Sequence, residues 1–209
     1  MTVCFLAADA AQKIRYASHI PMPLPPLVLA SASPRRRELL REHGYTFSVE
    51  PADVAESAPA HLTPGEIVLR NARAKVRAVA GRHPDALVLG VDTEVVFEGE
   101  VFGKPANLKA ALAMAKRLAG QTHEVHTGVW LQHPATRRER GFVEISRVRF
   151  RRLNDAQLRA YHARIGPLDK AGAYAAQEDR GELIERVEGS FTNVIGLPME
   201  ALAAALTEF

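Results

Sequence analysis

The sequence predicts an α/β fold built on a mixed β-sheet flanked by helices. Two observations carry this. Short apolar runs of strand length recur between segments with helical period and helix-capping residues, and one later run alternates polar and apolar residues in the manner of a half-buried antiparallel strand. At 209 residues, 47% hydrophobic and 24% charged, the chain is long enough for one globular domain with a sizeable core, or for two lobes.

Residues 1–26 end in "PMPLPP", whose prolines neither continue a helix nor donate to a sheet ladder, so this part reads as an N-terminal extension or linker. Met22 stands just before the first strand. The upstream segment is therefore a dispensable extension, the product of a misassigned start, or a short arm packed on the surface. The domain is expected over 27–209. "LVLA" from Leu27 reads as a buried strand, after which Ser33 and Pro34 supply an N-cap and a first-turn proline for "PRRRELLREHG", closed by Gly44. A second helix opens where Thr63 and Glu66 form a capping box around Pro64. It runs to about Ala80 with Val68, Ala72, Val76 and Val79 as its apolar stripe and Lys75 at the stripe's edge. "ALVLGVDTEVVF" reads as a strand that begins buried and then passes an acid, "EGE" as a turn, and "NLKAALAMAKRLAG" as a helix from Asn107 to a Gly120 stop. Two strands follow, "HEVHTGVWLQ" and "FVEISRVRFRRL", the second with Val143, Ile145, Val148 and Phe150 as its half-buried set. "NDAQLRAYHAR" is a capped helix, and the tail "GELIERVEGSFTNVIGLPMEALAAAL" reads as a strand, a turn and a final helix. There is no internal repeat and no low-complexity region.

Composition excludes several function classes. No stretch approaches the roughly 18 apolar residues of a membrane helix, and the opening residues lack a secretory signal, so a cytoplasmic protein without membrane contact is expected. Cys4 is the only cysteine, which rules out an internal disulfide and a cysteine metal cluster. The net charge of +3, from 27 basic and 24 acidic residues, suits a polyanionic ligand but is too small an excess to signal a stable nucleic-acid complex.

Three segments carry candidate chemistry. In "LVLASASPRRRELL" the free N–H groups and dipole of a helix start favour an anion, and Arg35, Arg36 and Arg37 add full charges there. Successive helical residues lie about 100° apart, so at most two arginines can face one ligand; Arg35 and Arg36 are the expected pair and Arg37 is expected in solvent. A solvated basic turn balanced by Glu38 and Glu42 is the alternative. In "GVDTEVVFEGEVFGKP", Asp92 interrupts an apolar strand and Lys104 follows one hairpin later, so both can return to one end of the sheet. A buried acid is costly unless it is used or capped by backbone N–H groups. With Glu56 and Lys75 they would make two carboxylates and two ammoniums, the set that hydrolysis of a phosphoanhydride requires. His123 and His126, three apart on a strand, fall on opposite faces, which argues against a shared zinc; a structural or ligand-adjacent role is expected for His123.

Taken together, "LASASPRRRELL", "DVAE", "GVDTEVVFEGEVFGKP", "HEVHTGV", "DKAGAYAAQ" and "GSFTNVIGLP" resemble the Maf family of nucleoside triphosphate pyrophosphatases, in the family's order and across nearly all of residues 27–206. The resemblance implies an elongated α/β fold of two lobes with the active site in the cleft between them. It also implies cleavage of a nucleoside triphosphate between its α and β phosphates, with a divalent metal, Mg²⁺ or Mn²⁺. It casts Asp92 as the catalytic acid-base residue, Ser31, Arg35, Arg36, Lys75 and Lys104 as phosphate contacts, and Glu56 with Asp92 as metal ligands. The last two motifs resemble the branch that acts on dTTP and UTP, in which Arg35, Thr93 and Gln177 set base preference. Where many members have glycine after that glutamine, this chain has Glu178, Asp179 and Arg180 before Gly181. The alternatives are a pyrophosphatase for 7-methyl-GTP or another modified nucleotide, and a nucleotide-binding regulator of cell division without turnover. A homodimer is left open.

Overall fold

The computed structural model describes residues 24–209. Residues 1–23, with most of the expected linker, Cys4 and Met22, lie outside the described residues. Leu24 packs against the core, and Pro26 O accepts from Leu87 N.

Seven strands form one mixed sheet: β1 Leu27–Leu29, β2 Phe47–Val49, β3 Leu87–Phe97, β4 Glu100–Phe102, β5 Thr122–His133, β6 Arg138–Phe150 and β7 Ile184–Glu188, in the order β2-β1-β3-β5-β6-β7 with β4 added to β3. β1 runs parallel to both β2 and β3, and the remaining pairs are antiparallel. The helices are α1 Pro34–Glu42, α2 Pro64–Ala80, α3 Leu108–Leu118, α4 Asp155–Ile165, α5 Phe191–Ile195 and α6 Met199–Leu206. The mixed α/β architecture is as the sequence predicts.

Helix ends follow local chemistry. The Thr63–Glu66 capping box forms, Asn107 Oδ1 accepts from Ala110 N, and Asn154 and Gln157 form a second capping box. Ser33 occupies the N-cap of α1 without a side-chain cap bond; its N–H instead donates to Ser31 Oγ. The tail forms two short helices, because Gly196 (φ +127°) and Pro198 interrupt it.

The central strands are apolar on both faces, as parallel strands under helices must be. Leu27, Leu29, Leu87, Leu89 and Val91 pack with Leu39 and Leu40 of α1 and Leu202 of α6, whereas Val28 and Val88 pack with Val76 and Val79 of α2. A third cluster joins Val95, Val125, Val148 and Phe150 to Leu112 and Leu118 of α3 and Leu158 and Tyr161 of α4. One expectation for β6 is corrected. Ile145 is 47% exposed, and Ser146 joins Val148 and Phe150 on the buried face. Positions 143 and 145 share parity with each other but not with 148 and 150, so a strand of period two cannot bury all four.

Candidate active site

The site exists because β3 is longer than its neighbours on one side. β1 accompanies it only to the Leu29–Leu89 pair, and β4 takes up the same edge from Val95, so residues 90–94 have no strand partner there. A cavity of about 490 Å³ opens at this gap, at the carboxyl end of β1. Successive side chains point to opposite faces, yet Asp92 and Thr93 both border the cavity because it wraps the bare edge. On the Thr93 side two core clusters meet. Val91 and Val129 belong to one, Val95 and Val125 to the other, and between them Thr93 and Thr127 share a 3.0 Å hydrogen bond.

On the Asp92 side, α2 lies directly on the sheet. A Cβ at Gly90 would collide with Ala72 O and one at Gly128 with the Val68 backbone, so only glycine permits this approach. Asp92 pairs across the ladder with Gly128. The approach brings Lys75 and Asn71, one helical turn apart, onto the carboxylate: Lys75 Nζ lies 2.6 Å from Asp92 Oδ1 and Asn71 Nδ2 3.0 Å from Oδ2. Lys75 Nζ also lies 2.7 Å from Glu56 Oε1 and donates to Val91 O, the carbonyl left free by the missing strand. Asn71 Oδ1 accepts from Ser57 N and so fixes the loop that carries Glu56. Burial alone would raise the Glu56 pKa, but the hydrogen bond and charge of Lys75, with Lys104 behind it, hold it below its ordinary value.

On the α1 side, Arg36 is a tie between elements. Its Nε donates to Gly196 O at 2.9 Å, Nη1 to Ser31 Oγ at 3.0 Å and Nη2 to Thr93 Oγ1 at 3.1 Å. Two of its five N–H donors stay available to a ligand. Burial lowers its pKa to about 10, the Asp92 charge opposing that shift, so it remains a cation at neutral pH. Arg35 crosses the cavity mouth to Asp169 Oδ2 at 3.3 Å, and Asp169 is held in turn by Lys170 Nζ at 2.7 Å. Arg37 stays out of the cavity wall, as its direction on the helix requires. It is half-buried rather than solvated, and its Nε finds no partner among the described residues.

The far end of the cavity is a run of three single-turn 3₁₀ helices, Pro167–Asp169, Ala171–Ala173 and Ala176–Glu178. Gly172 (φ +66°) lets this run sit against Val95. Gln177 faces the cavity and Glu178 does not. The residues that depart from the family pattern close a turn: Asp179 accepts from Leu183 N and Ile184 N at 2.9 and 3.0 Å. Tyr174, which lines the cavity, is braced from behind by His123, whose Nε2 lies 3.1 Å from the phenol oxygen. Burial lowers the His123 pKa to about 3, so the ring is neutral.

All nine expected residues, Ser31, Arg35, Arg36, Glu56, Lys75, Asp92, Thr93, Lys104 and Gln177, border this one cavity. His126 lies on the opposite face of β5 from His123, paired across the ladder with Glu94, and contacts Glu124. Sequence reasoning missed Glu94, Asn71, Asp169 and Lys170. Two of them had a signal: Glu94 follows Asp92 by two on a strand, and Asn71 precedes Lys75 by four on a helix, so each shares a face with a residue already singled out. Asp169 and Lys170 had none, since no period governs a 3₁₀ run.

Arginines at a helix start, facing buried carboxylates across a cavity at a strand's carboxyl end, define an α/β protein with a site suited to phosphate esters. The particular family follows from comparison. The chain belongs to the Maf family: the family model described as Maf-like protein matches residues 26–209. It is 48% identical over 180 residues to the dTTP/UTP pyrophosphatase of Myxococcus xanthus, covering 86% of this chain and 90% of that protein. Similar relatives with the same name come from Moorella thermoacetica, 47% identical over 88% of this chain and 94% of that protein, and Pelotomaculum thermopropionicum, 45% identical over 88% and 96%. Among the described residues no helix is long and apolar enough to cross a membrane.

Proposed function

We propose that this chain is a nucleoside triphosphate pyrophosphatase that hydrolyses dTTP and UTP to the nucleoside monophosphate and pyrophosphate. The observation that carries the reading is the convergence of four cations, Arg35, Arg36, Lys75 and Lys104, on one cavity with Asp92 and Glu56. A pure polyanion binder gains nothing from carboxylates beside its phosphates. The names of the relatives supply the substrate, and Gln177 at the cavity end supports a pyrimidine base, since an amide both donates and accepts as the uracil edge requires.

Asp92 takes the proton of the attacking water. Its carboxylate is held in one orientation by Lys75 and Asn71, and each oxygen keeps a lone pair free of those bonds. Lys104 and the spare donors of Arg36 meet the phosphate oxygens where charge develops, while Lys75, its three donors engaged with Asp92, Glu56 and Val91 O, adds positive charge without a direct contact. Arg35 exchanges Asp169 for the nucleotide. Thr93 lines the same cavity and fixes the orientation of Arg36, so a change there would alter the phosphate contact as well as any base preference.

The donor set fits a divalent metal. The side chains offer hard carboxylate oxygens, and Glu94 Oε2 is buried with no partner among the described residues. No three His, Cys, Asp or Glu side chains of the described residues are gathered closely enough to hold a metal alone. Mg²⁺ takes few protein carboxylates and completes its shell with water and substrate phosphates. Glu56 and Asp92 would hold the ion, which when bound neutralises charge on the phosphates.

The test is kcat/KM for UTP, dTTP, CTP, GTP and 7-methyl-GTP with Mg²⁺ or Mn²⁺, with pyrophosphate measured directly. Preference for UTP and dTTP is expected. Preference for 7-methyl-GTP would refute the pyrimidine reading, and no turnover of any substrate would refute the enzyme.

A further inference from the structure

Glu94 is the acid in this site with no role so far. It stands two residues after Asp92 on β3, so the two side chains leave the same face of the strand about 6.5–7 Å apart along it. It lines the cavity beside Asp92, Glu56 and Lys104, and its Oε2 is buried without a hydrogen-bond partner among the described residues. Across the ladder stands His126, whose Nε2 is already engaged with Glu124. Lys75 meets Asp92 Oδ1 and Glu56 Oε1, and Asn71 meets Asp92 Oδ2, whereas Glu94 Oε2 has no such donor among the described residues. A buried carboxylate oxygen without a donor is costly, and a cation relieves that cost.

We propose that Glu94 is a further ligand of the divalent metal, binding the ion together with Asp92 from one face of β3 when substrate phosphates arrive. This rests on the pyrophosphatase reading for the identity of the phosphate ligand. Glu94 would then add a hard carboxylate oxygen to those of Asp92 and Glu56, the kind of donor Mg²⁺ takes alongside water and phosphate oxygens.

The experiment measures Mn²⁺ binding to the purified chain by electron paramagnetic resonance, with inorganic pyrophosphate as the phosphate probe. Compared are wild type, Glu94→Gln, Glu94→Asp, Asp92→Asn and the control Glu124→Gln, whose carboxylate lies outside the cavity. Loss of the ligand in Glu94→Gln is expected to weaken Mn²⁺ binding at least about tenfold, with Glu94→Asp between and the control unchanged. Without metal, Glu94→Gln should melt no lower than wild type, because a neutral amide replaces an unpaired carboxylate. Wild-type Mn²⁺ affinity in a folded Glu94→Gln, while Asp92→Asn loses the ion, would overturn the assignment and leave the pyrophosphatase reading intact. Glu94-dependent Mn²⁺ binding in a wild type that cleaves no nucleotide would uphold the ligand and sink the pyrophosphatase reading instead.

Discussion

Lys75→Met isolates the interaction on which the site is built. In the native chain Lys75 Nζ meets Asp92 Oδ1 at 2.6 Å and Glu56 Oε1 at 2.7 Å, and the Asp92 side chain is only 4% exposed. Methionine keeps the stem and removes the ammonium. Glu56 is 41% exposed and can be rehydrated, so its loss adds little. Asp92 is left buried with one amide donor, and an uncompensated buried charge of this kind costs ~3–5 kcal/mol. For a domain of this size that corresponds to a fall in Tm of roughly 6–20 °C. The assay is denaturant unfolding at pH 8 of Lys75→Met, Asp92→Asn and the double variant. The double variant should recover most of the loss, giving a coupling energy of more than ~2 kcal/mol. A Lys75→Met within 1 kcal/mol of wild type at pH 8, or a double variant no better than the single, would refute the reasoning.

Three further outcomes are expected. Gly128→Ala forces α2 off the sheet and should destabilise the fold by roughly 1–3 kcal/mol, read as a lower Tm with reduced activity. His123, with a folded pKa of about 3 against 6.5 unfolded, makes the chain lose stability as pH falls below 6.5, because only the unfolded state takes up the proton. The slope from this group is about 1.4 kcal/mol per pH unit, and His123→Gln should flatten it in urea titrations from pH 7 to pH 4. Gln177→Glu replaces a donor-acceptor amide by an acceptor and should cut the UTP to 7-methyl-GTP ratio of kcat/KM by about tenfold or more.

Much of the fold is legible in the sequence where the cause is local. Thr63 with Glu66, Asn107 and Asn154 mark helix starts because a capping side chain acts within three residues. The site residues were legible as types, since an acid inside an apolar strand and arginines at a helix start each defy their surroundings. Their meeting was not, because it depends on where β1 stops and β4 begins along β3, a matter of strand lengths set by the whole sheet. β2 is a three-residue strand with little period to detect. Arg36 shows the limit most clearly: the sequence offers it as a phosphate ligand, whereas its bonds to Ser31, Thr93 and Gly196 make it equally a brace between α1, β3 and the end of α5. Its replacement by alanine would therefore mix binding with stability, and Arg35, 22% exposed in its side chain and, among the described residues, paired only with Asp169, is the cleaner probe of charge at the cavity mouth.

The central claim is that Asp92 drives water onto a nucleoside triphosphate so that pyrophosphate leaves. It is tested most directly by resolving the products of UTP with Mg²⁺ by ³¹P NMR, for wild type and folded Asp92→Asn side by side. Equal amounts of UMP and pyrophosphate from the wild type, with turnover reduced on the order of 10²-fold or more in the variant, are predicted. UDP and orthophosphate, or undiminished turnover in Asp92→Asn, would contradict the account.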